Sequence, residues 1–364
     1  MHIKLQCSEL NRMMKTIIPC TDTHGLSRNA NICIQSTSYA LIISATNGVM
    51  SAEMRTPVLG TDETFCVDGQ TFAKVVGANT GTVEIITDDK SCFVKGAGRT
   101  RIPIVGTGKI EIEHAPAVDG LKQAIISSSN FVRCFNNVAY ALSTDQTTRP
   151  VLTGVLVESD GSILRMTAID GFQMSVDHVP CTGQKFSAIV PGAFMKLVSQ
   201  SVAPDTFITF YVCGNMVTVG AEDMMLSSTL LAGQYPDVNR IMPSSFKIEC
   251  MTDGGELMNA LKSGSVVSSK QNLVKLEIGA DSIRIANNGD NADFEADVPC
   301  CTTGLDQGST LKIAFNQKYF MNAVNAVSDD DVVLKFNSSL SPCVAQKKTE
   351  NTGDRLVLPV RVQG

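Results

Sequence analysis

The stretch that decides the fold is IISATNGVMSAEM at 42–54, which recurs in altered form as LRMTAIDGFQMSV at 164–176 and IRIANNGDNADFEA at 283–296. In each stretch an apolar run predicts a strand that ends in a tight turn. The turns are Asn47-Gly48, Asp170-Gly171 and Asn288-Gly289, whose glycines are separated by 123 and 118 residues. A shared period of about 120 residues predicts an internal repeat.

Two further kinds of segment recur in the same order. Amphipathic helix patterns lie at 8–17, 119–132 and 254–267. Strands that lead into a second helix lie at 65–76, 188–198 and 313–324. The second helices begin near Asp68, Pro191 and Asn316, at separations of 123 and 125 residues. Three segment types with one period indicate three copies of one domain, with the boundaries 1–116, 117–243 and 244–364.

Alternating apolar and polar residues within each copy predict short strands bounded by turn residues. Ser8, Asp68 and Asn316 are suited to cap helices, and Pro191 is tolerated in a first turn. The predicted class is α+β, with antiparallel sheets and two helices packed on one side of each copy.

The composition excludes several classes of protein. Hydrophobic residues make up 43% and charged residues 18% of 364, as in a globular protein with a sizeable core. The formal charge of −6 argues against a uniformly basic surface that coats nucleic acid. The twelve cysteines include no C-x-x-C pair and follow no signal-peptide pattern, so we expect reduced, mostly buried thiols in a cytoplasmic protein without a membrane span.

No constellation of residues predicts catalysis, a metal or a cofactor. The histidines stand in unrelated local contexts, at His2, His24, His114 and His178. Cys300-Cys301 lacks the second pair that a zinc site needs. The run Asp329–Asp331 occupies a turn position before a strand, and Asp170 has Asn47 and Asn288 as its counterparts, so turn chemistry is the simpler interpretation of both. No glycine-rich nucleotide loop joins a strand to a helix.

Four segments together resemble the beta subunit of bacterial DNA polymerase III, the sliding-clamp family. TRPVLTGVLVESDGSILRMTAIDGFQMSV at 148–176 is similar to the family's Arg, Leu-x-Gly strand and Ala-x-Asp-Gly turn. LAGQYPDVNRIMP at 231–243, NQKYFMNAV at 316–324 and LVLPVRV at 356–362 are similar to later family segments in the same order.

The resemblance implies a processivity factor without catalysis of its own. A head-to-tail homodimer of six domains would form a ring around double-stranded DNA, with helices lining the hole and sheets outside, independently of DNA sequence. Polymerase and clamp-loader subunits would bind through short peptides, and the protein would be associated with the nucleoid. Phe172-Gln173 replace the His-Arg pair that the family often carries, and the first domain offers only His24 and Arg28 where an Arg-Pro is usual. The chain also continues two residues past the usual end, to Gln363 and Gly364.

Three sets of site residues follow from the resemblance and from the helix patterns. The DNA-facing set is Arg12, Lys15, His24, Arg28, Lys74, Lys122, Arg149, Lys196, Lys262 and Lys318. The partner-peptide groove is Leu152, Ile169, Gly171, Phe172, Gln173, Met174, Pro236, Ile241, Pro342, Leu358, Pro359, Val360 and Arg361. The dimer interface is Ile102 and Ile104 against Val266 and Val267 of the partner.

Each set has a simpler alternative. The interface residues could fill each domain's own core, and the lysines could be ordinary solvated helix residues. In the last predicted strand, at 356–362 and called the closing strand below, Val357 and Val362 are assigned to the core. Two other functions stay open from the sequence alone. They are an enzyme that retains the repeat and carries an unrecognised site, and a repeat-built adhesion protein, which the free cysteines disfavour.

Overall fold

The computed structural model describes residues 1–22, 28–112, 121–267, 272–289, 291–349 and 353–361, with only the backbone for Arg28. Within these residues one order of elements occurs three times: a strand, a helix, a group of strands, a helix and three strands. This recurrence confirms the predicted α+β class with two principal helices in each copy. The predicted boundary at 116 lies outside the described residues.

The strands and helices of the first two thirds of the chain form two similar series. The first third contains β1 His2–Gln6, α1 Cys7–Ile17, β2 Asn31–Ser36, β3 Ala40–Thr46, β4 Met50–Pro57, β5 Glu63–Asp68, α2 Gly69–Gly77, β6 Thr82–Thr87, β7 Ser91–Lys95 and β8 Arg99–Pro103. The middle third contains β9 Lys122–Ser127, α3 Ser128–Ala139, β10 Gly154–Asp160, β11 Ile163–Ile169, β12 Gln173–Pro180, β13 Thr182–Gly183, β14 Lys185–Pro191, α4 Gly192–Ser201, β15 Phe207–Cys213, β16 Met216–Ala221 and β17 Met224–Thr229.

The last third begins with a short helix and then repeats the pattern. It contains α5 Val238–Ile241, β18 Ile248–Asp253, α6 Gly254–Ser265, β19 Leu273–Ile278, β20 Ser282–Asn288, β21 Asp293–Thr303, β22 Leu311–Asn316, α7 Gln317–Asn325, β23 Asp331–Phe336, β24 Cys343–Lys347 and β25 Gly353–Val357. Three short 3-10 helices, at Ile18–Cys20, Arg28–Ala30 and Pro150–Thr153, complete the elements of the described chain.

The chain forms two compact units. The first comprises Met1–Val132, Glu158–Leu164 and Pro180–Ala232. It holds a four-stranded sheet in the order β1-β6-β7-β8 and a nine-stranded sheet in the order β13-β9-β15-β16-β17-β4-β3-β2-β5. Helix α1 packs on α2, and the large buried side chains between helices and sheets include Leu10, Met13 and Phe72.

The second unit comprises Arg133–Val157, Arg165–Val179 and Gly233–Gly364. Its antiparallel strands follow the order β12-β25-β24-β23-β18-β21-β20-β19-β22. Helices α6 and α7 pack together over a core in which the Phe315 and Phe320 rings stack with their centroids 4.8 Å apart. Phe336 and Leu257 belong to the same buried cluster. Because β25 pairs with both β12 and β24, it joins β12 to the strands of the last third.

Turn chemistry accounts for two of the three Asx-Gly pairs, Asn47-Gly48 and Asp170-Gly171. The Asn47 side-chain oxygen accepts hydrogen bonds from the N–H groups of Val49 and Met50 at 3.0 and 2.8 Å. The Asp170 carboxylate accepts from Phe172 and Gln173 at 2.8 and 2.9 Å. The following glycines have φ of +84° and +99°, a conformation that side chains with a Cβ rarely adopt. The Asp170 carboxylate is therefore engaged in a turn, which supports the structural interpretation over a catalytic one.

Two of the predicted helix caps are confirmed and one is wrong. Asp68 accepts from Thr71 N–H at 2.8 Å and Asn316 accepts from Tyr319 N–H at 3.3 Å. Ser8 lies inside α1, which begins one residue earlier, and the cap position is Gln6. Pro191 occupies the cap position of α4, immediately before its first turn.

The helix predicted at 119–132 is wrong in its first half. Lys122–Ser127 forms strand β9, paired with β15, and the helix runs from Ser128 to Ala139. The sequence KQAIIS places Ala124 and Ile126 on one side, where both are buried. The short apolar run Ala124–Ile126 does not by itself distinguish a buried strand from a segment of buried helix. Pairing with β15 decides between the two.

Candidate functional site

The predicted basic residues lie mostly on the principal helices. Lys15 on α1, Lys74 on α2, Lys196 on α4, Lys262 on α6 and Lys318 on α7 are all exposed. Within the described chain none of these five lysines forms a salt bridge. They are therefore available to an external anion.

The other members of the DNA-facing set differ in position. Lys122 is exposed but lies on β9, so its expected place on a helix is wrong. Arg149 is exposed and precedes the 3-10 helix at 150–153. Arg28 lies in a short 3-10 helix, and His24 is outside the described residues.

Arg12 is held by two carboxylates on its own unit. Its guanidinium donates to Glu9 at 2.8 Å, one turn earlier on α1, and to Asp223 at 2.5 Å, in the hairpin between β16 and β17. Hydrogen bonding to Glu9 and then to Asp223 raises the pKa of Arg12, and the same arginine lowers the pKa of Glu9. The charge of Arg12 is largely compensated, unlike that of the neighbouring Lys15.

The six helices of nine or more residues carry a net positive charge. They contain seven basic residues, namely Arg12, Lys15, Lys74, Arg133, Lys196, Lys262 and Lys318, against the two acidic residues Glu9 and Glu256. Their net charge is thus +5, whereas the whole chain carries −6. These helices hold seven of the 30 basic residues but only two of the 36 acidic residues, so their positive charge comes mainly from a scarcity of acidic side chains. A polyanion would therefore favour the helical surface.

Part of the predicted groove set is brought together where β25 ends. Gln173 and Met174 of β12 pair with Val357 and Leu356 of β25. Beyond β25, Leu358 N–H donates to the Phe172 carbonyl at 2.9 Å and Val360 N–H donates to the Ala314 carbonyl at 2.8 Å. Pro359 forms an isolated bridge with Phe315. Residues 358–361 therefore run from the edge of β12 to the edge of β22 within the second unit.

Exposure separates the groove set into surface and support. The surface members include Phe172, which is 59% exposed, and Leu358, which is 38% exposed. Gly171 and Arg361 are exposed, and Pro236, Ile241, Pro342, Pro359 and Val360 are half-buried. Leu152, Ile169, Gln173 and Met174 are buried. Met174 is only 1% exposed, so it supports the groove from below in this conformation.

Phe172 and Gln173 point to different surroundings. The Phe172 ring stacks on Tyr319 of α7 with the centroids 5.7 Å apart. The Gln173 amide donates to the Asp170 carboxylate at 2.8 Å and to the Tyr140 carbonyl at 3.1 Å. Gln173 therefore braces the turn from inside, and the apolar character at the surface comes from Phe172 together with Tyr319. Tyr319 is not among the predicted site residues, because a tyrosine on an amphipathic helix is more often part of the core.

A buried tyrosine joins the segment of Pro236 to the strands of the groove. Tyr235 donates its hydroxyl toward the carbonyls of Gly154 and Thr167, each at 3.3 Å. Burial raises the pKa of Tyr235, so it stays neutral.

Val360 and Arg361 line a depression of about 940 Å³ together with Ala314 and Leu340. Leu340 is an exposed apolar residue that is not among the predicted site residues.

A buried ion network holds the closing strand to β12. Arg355 of β25 donates to the Asp177 carboxylate at 2.5 Å, and both side chains are fully buried. Asp177 also accepts from Arg133 of α3 at 3.2 Å and from Asn137 at 2.8 Å. No sequence motif singled out these residues, since a lone Asp and a lone Arg 178 positions apart give no local pattern.

The predicted interface residues also fall into two groups. Ile102 is buried in the core of the first unit, so the simpler alternative holds for it, while Ile104 is half-buried beyond the edge strand β8. Val266, at the end of α6 in the second unit, is 84% exposed, and Val267 is half-buried. Val357 is buried as predicted, and Val362 lies outside the described residues.

The remaining candidate groups have ordinary structural roles. Asp330 accepts from the N–H of Asp331 at 2.7 Å, and Lys347 pairs with Asp329 at 2.7 Å, as in a solvated turn. Among the described residues no cluster of His, Cys, Asp and Glu could hold a metal ion, and none of their helices is long and apolar enough to cross a membrane. The twelve cysteines are free, and eight of them are buried.

Comparison with known families and proteins agrees with this architecture. The model of the DNA polymerase III beta subunit central domain matches residues 125–237, and that of its C-terminal domain matches residues 239–361. The chain belongs to the DNA polymerase III beta subunit family. A Staphylococcus aureus protein named beta sliding clamp is 24% identical over 373 aligned residues, which cover 97% of this chain and 96% of that relative.

Solved structures of family members share the fold over the full length of the chain. The DNA polymerase sliding clamp of Bacillus subtilis superposes with a TM-score of 0.89 at 20% identity and covers 100% of both chains. The DNA polymerase III beta subunit of Thermotoga maritima superposes with a TM-score of 0.88, also at 20% identity and with 100% of both chains covered. The fold is thus retained at low sequence identity.

Proposed function

We propose that this chain is the subunit of a DNA sliding clamp. Two identical chains close head to tail into a ring around duplex DNA and tether a replicative polymerase, and the chain catalyses no reaction of its own. Each chain contributes three tandem domains, at 1–116, 117–243 and 244–364. The names of its relatives support this function, and the observation that carries it is the net charge of +5 on the helices of a chain whose total charge is −6.

The helical lysines would hold DNA without reading its sequence. A lysine ammonium is a mobile point charge, and contacts with phosphate oxygens carry no sequence information. Recurrence of such lysines on helices of all three copies would spread a positive field around the duplex, which suits a ring that has to move along it. A ring of this kind would work on the chromosome in the cytoplasm.

The ring would close where an edge strand meets the end of a helix. Strand β8 ends its sheet, so its outer backbone groups are available to a partner strand. Ile104 beyond β8 would pack against Val266 and Val267 of the partner, and the 84% exposure of Val266 supports this assignment. Pro103 cannot donate a hydrogen bond, so the pairing would be interrupted there. Val266→Asp should therefore convert the dimer to a monomer in light scattering, and an unchanged mass would refute the interface.

The groove of the second unit would bind short apolar peptides of polymerase and loader subunits. Phe172 and Leu358 offer exposed apolar surface, and Arg361 stands at the rim, where it could pair with a peptide carboxylate. The stacked Phe172 and Tyr319 rings make the surface more apolar than a His-Arg pair would. We therefore expect altered preference among partner peptides.

The decisive experiment tests topological binding. The protein is loaded onto nicked circular DNA with its loader and then challenged by cutting the circle. Retention that disappears on linearisation supports a ring, whereas equal retention on both forms refutes it. Lys74, Lys196 and Lys262 are replaced together by Glu to test the lining. Lys90, Lys185 and Lys247, which are exposed, lie outside the helices and form no salt bridge within the described residues, are replaced together by Glu as the charge-matched control.

A further inference from the structure

Two cysteines face each other across neighbouring strands of the first unit. Cys33 of β2 and Cys66 of β5 are direct partners in the antiparallel register. The N–H of Cys66 donates to the Gly106 carbonyl at 2.7 Å, and the Cys66 carbonyl accepts from Val105 at 2.9 Å. Since both backbone groups of Cys66 point away from β2, Cys33 and Cys66 form a non-hydrogen-bonded pair. Such pairs have Cα atoms about 4.5 Å apart, inside the range of about 4.4–6.8 Å that disulfides span.

The two thiols lie near one backbone acceptor, the Gly108 carbonyl, in the segment that follows β8. The Gly108 carbonyl lies 3.2 Å from the Cys66 sulfur and 3.8 Å from the Cys33 sulfur. Residues 104–110 cover the pair, and Gly106 and Gly108 place no side chain over it. Cys66 is 9% exposed and Cys33 is 2% exposed, so Cys66 lies nearer the surface of the two.

Cys33 is surrounded by groups that stabilise a thiolate. Once Cys33 is ionised, the Cys66 thiol can donate to it instead of to the Gly108 carbonyl. This hydrogen bond, those from the Ile110 N–H and Ser44, and the charge of Lys109 lower the pKa of Cys33 to about 7 against the effect of burial. The same interaction and burial raise the pKa of Cys66. The Cys33 thiolate is thus suited to attack an oxidant, and the Cys66 thiol is suited to react with the oxidised Cys33 in a second step.

We propose that Cys33 and Cys66 are a redox-reactive pair that hydrogen peroxide converts to a disulfide. The Cys33 thiolate attacks one peroxide oxygen, the O–O bond breaks, and the departing hydroxide takes a proton to become water. The Cys66 sulfur then displaces the hydroxyl group of the Cys33 sulfenic acid, and that hydroxyl leaves as water with the Cys66 proton. Two thiols lose two electrons to peroxide, which becomes two molecules of water.

The disulfide is reversible and changes the covering segment. A Cα separation near the lower end of the disulfide range favours strain, and strained bonds are the more readily reduced. Oxidation removes the thiol donors of the Gly108 carbonyl and leaves the Ile110 N–H facing a weak sulfur acceptor. The Ile110 amide should therefore exchange its hydrogen faster in the oxidised protein.

The test uses the full-length reduced protein and hydrogen peroxide. After oxidation and alkylation of the remaining thiols, intact mass should show two alkylations fewer than in the reduced protein. Peptide mapping without reductant should join Cys33 to Cys66, and dithiothreitol should reverse the change. Cys66→Ser should stop at a sulfenic acid on Cys33 that dimedone traps, and Cys33→Ser should leave Cys66 as a thiol at the same dose.

Controls separate this pair from general oxidation. Cys92 is buried, and burial raises its pKa to about 12, so Cys92→Ser should leave the disulfide unchanged. Exposed Cys301 reports direct oxidation in every sample. Thermal melting of each variant shows whether it is folded, and the wild-type mapping decides the proposal even if one variant is not. A linkage between other cysteines, or oxidised Cys301 with both Cys33 and Cys66 unchanged, would overturn it.

Discussion

Two ion pairs join distant parts of the chain in opposite ways. Arg355 and Asp177 meet within the second unit with both side chains fully buried. Arg12 and Asp223 meet within the first unit at the same distance of 2.5 Å, but they remain 36% and 37% exposed. Equal distances therefore do not imply equal contributions to stability, because water screens the second pair and is absent from the first.

The difference also assigns the two pairs to different functions. The buried pair fixes β25 against β12 and so positions Phe172 and Leu358 at the surface of the groove. The exposed pair compensates a positive charge on α1 and leaves Lys15 as the available cation of that helix. One pair is expected to control stability and partner binding, and the other is expected to tune the charge that DNA meets.

Breaking the buried pair should have the largest effect. Asp177→Ala leaves Arg355 charged without a carboxylate, and the loss of one partner of a buried pair costs about 3–5 kcal/mol of unfolding free energy. Urea denaturation followed by circular dichroism measures it. The double variant Asp177→Leu/Arg355→Leu should recover much of the loss, because an apolar pair carries no buried charge. A loss below about 1 kcal/mol in Asp177→Ala would make the two pairs equivalent.

Removing the exposed Phe172 side chain should weaken peptide binding and leave the stability of the protein nearly unchanged. Phe172→Ala deletes an aromatic contact at the centre of the groove, where such losses cost about 2 kcal/mol, or roughly 30-fold in affinity. Calorimetry with a Gln-Leu-x-Leu-Phe peptide measures the change. Phe207, which is 71% exposed on β15, provides the matched control. Equal binding by Phe172→Ala and Phe207→Ala would remove the groove from partner recognition.

Neighbouring cations on α1 should differ in their contribution to DNA retention. Lys15→Ala removes an uncompensated charge. The slope of log affinity against log salt is negative, and its magnitude should fall by about one. Arg12→Ala removes a charge that Glu9 and Asp223 already balance, so its slope should stay close to that of the wild type. Filter binding over a series of salt concentrations provides both slopes. A larger change for Arg12→Ala would show that its ion pairs open when DNA binds.

The exposed pair should contribute least to stability. Asp223→Ala is expected to lower the unfolding free energy by about 0.2–1 kcal/mol, less at high salt. The Glu9–Arg12 interaction adds a pH dependence, because the pKa of Glu9 is lowered from 4.5. Its contribution is present above pH 4.5 and is lost as the pH falls through the lower folded pKa. Arg12→Ala should therefore match the wild type more closely at about pH 3 than at about pH 7 in thermal melting.

Most of the fold could be predicted because its signals are local. The Asx-Gly turns, the caps at Asp68 and Asn316 and the order of strands and helices depend on residues within a few positions of each other. The helix predicted at 119–132 was wrong because KQAIIS satisfies both patterns over so short a span, and pairing with β15 decided it. For the candidate site, the contributing segments were predicted, whereas the division into exposed Phe172 and buried Met174 was not.

The sequence by itself determined the threefold repeat, the α+β class, the family resemblance and the recurrence of lysines on the helices. Only the tertiary structure decided that Arg355 meets Asp177, that Asp223 compensates Arg12 and that Cys33 faces Cys66. The physical reason is the range of the interactions involved. Turns and caps are satisfied by nearby backbone groups, but burial and pairing across 178 or 211 positions depend on how the sheets and helices pack.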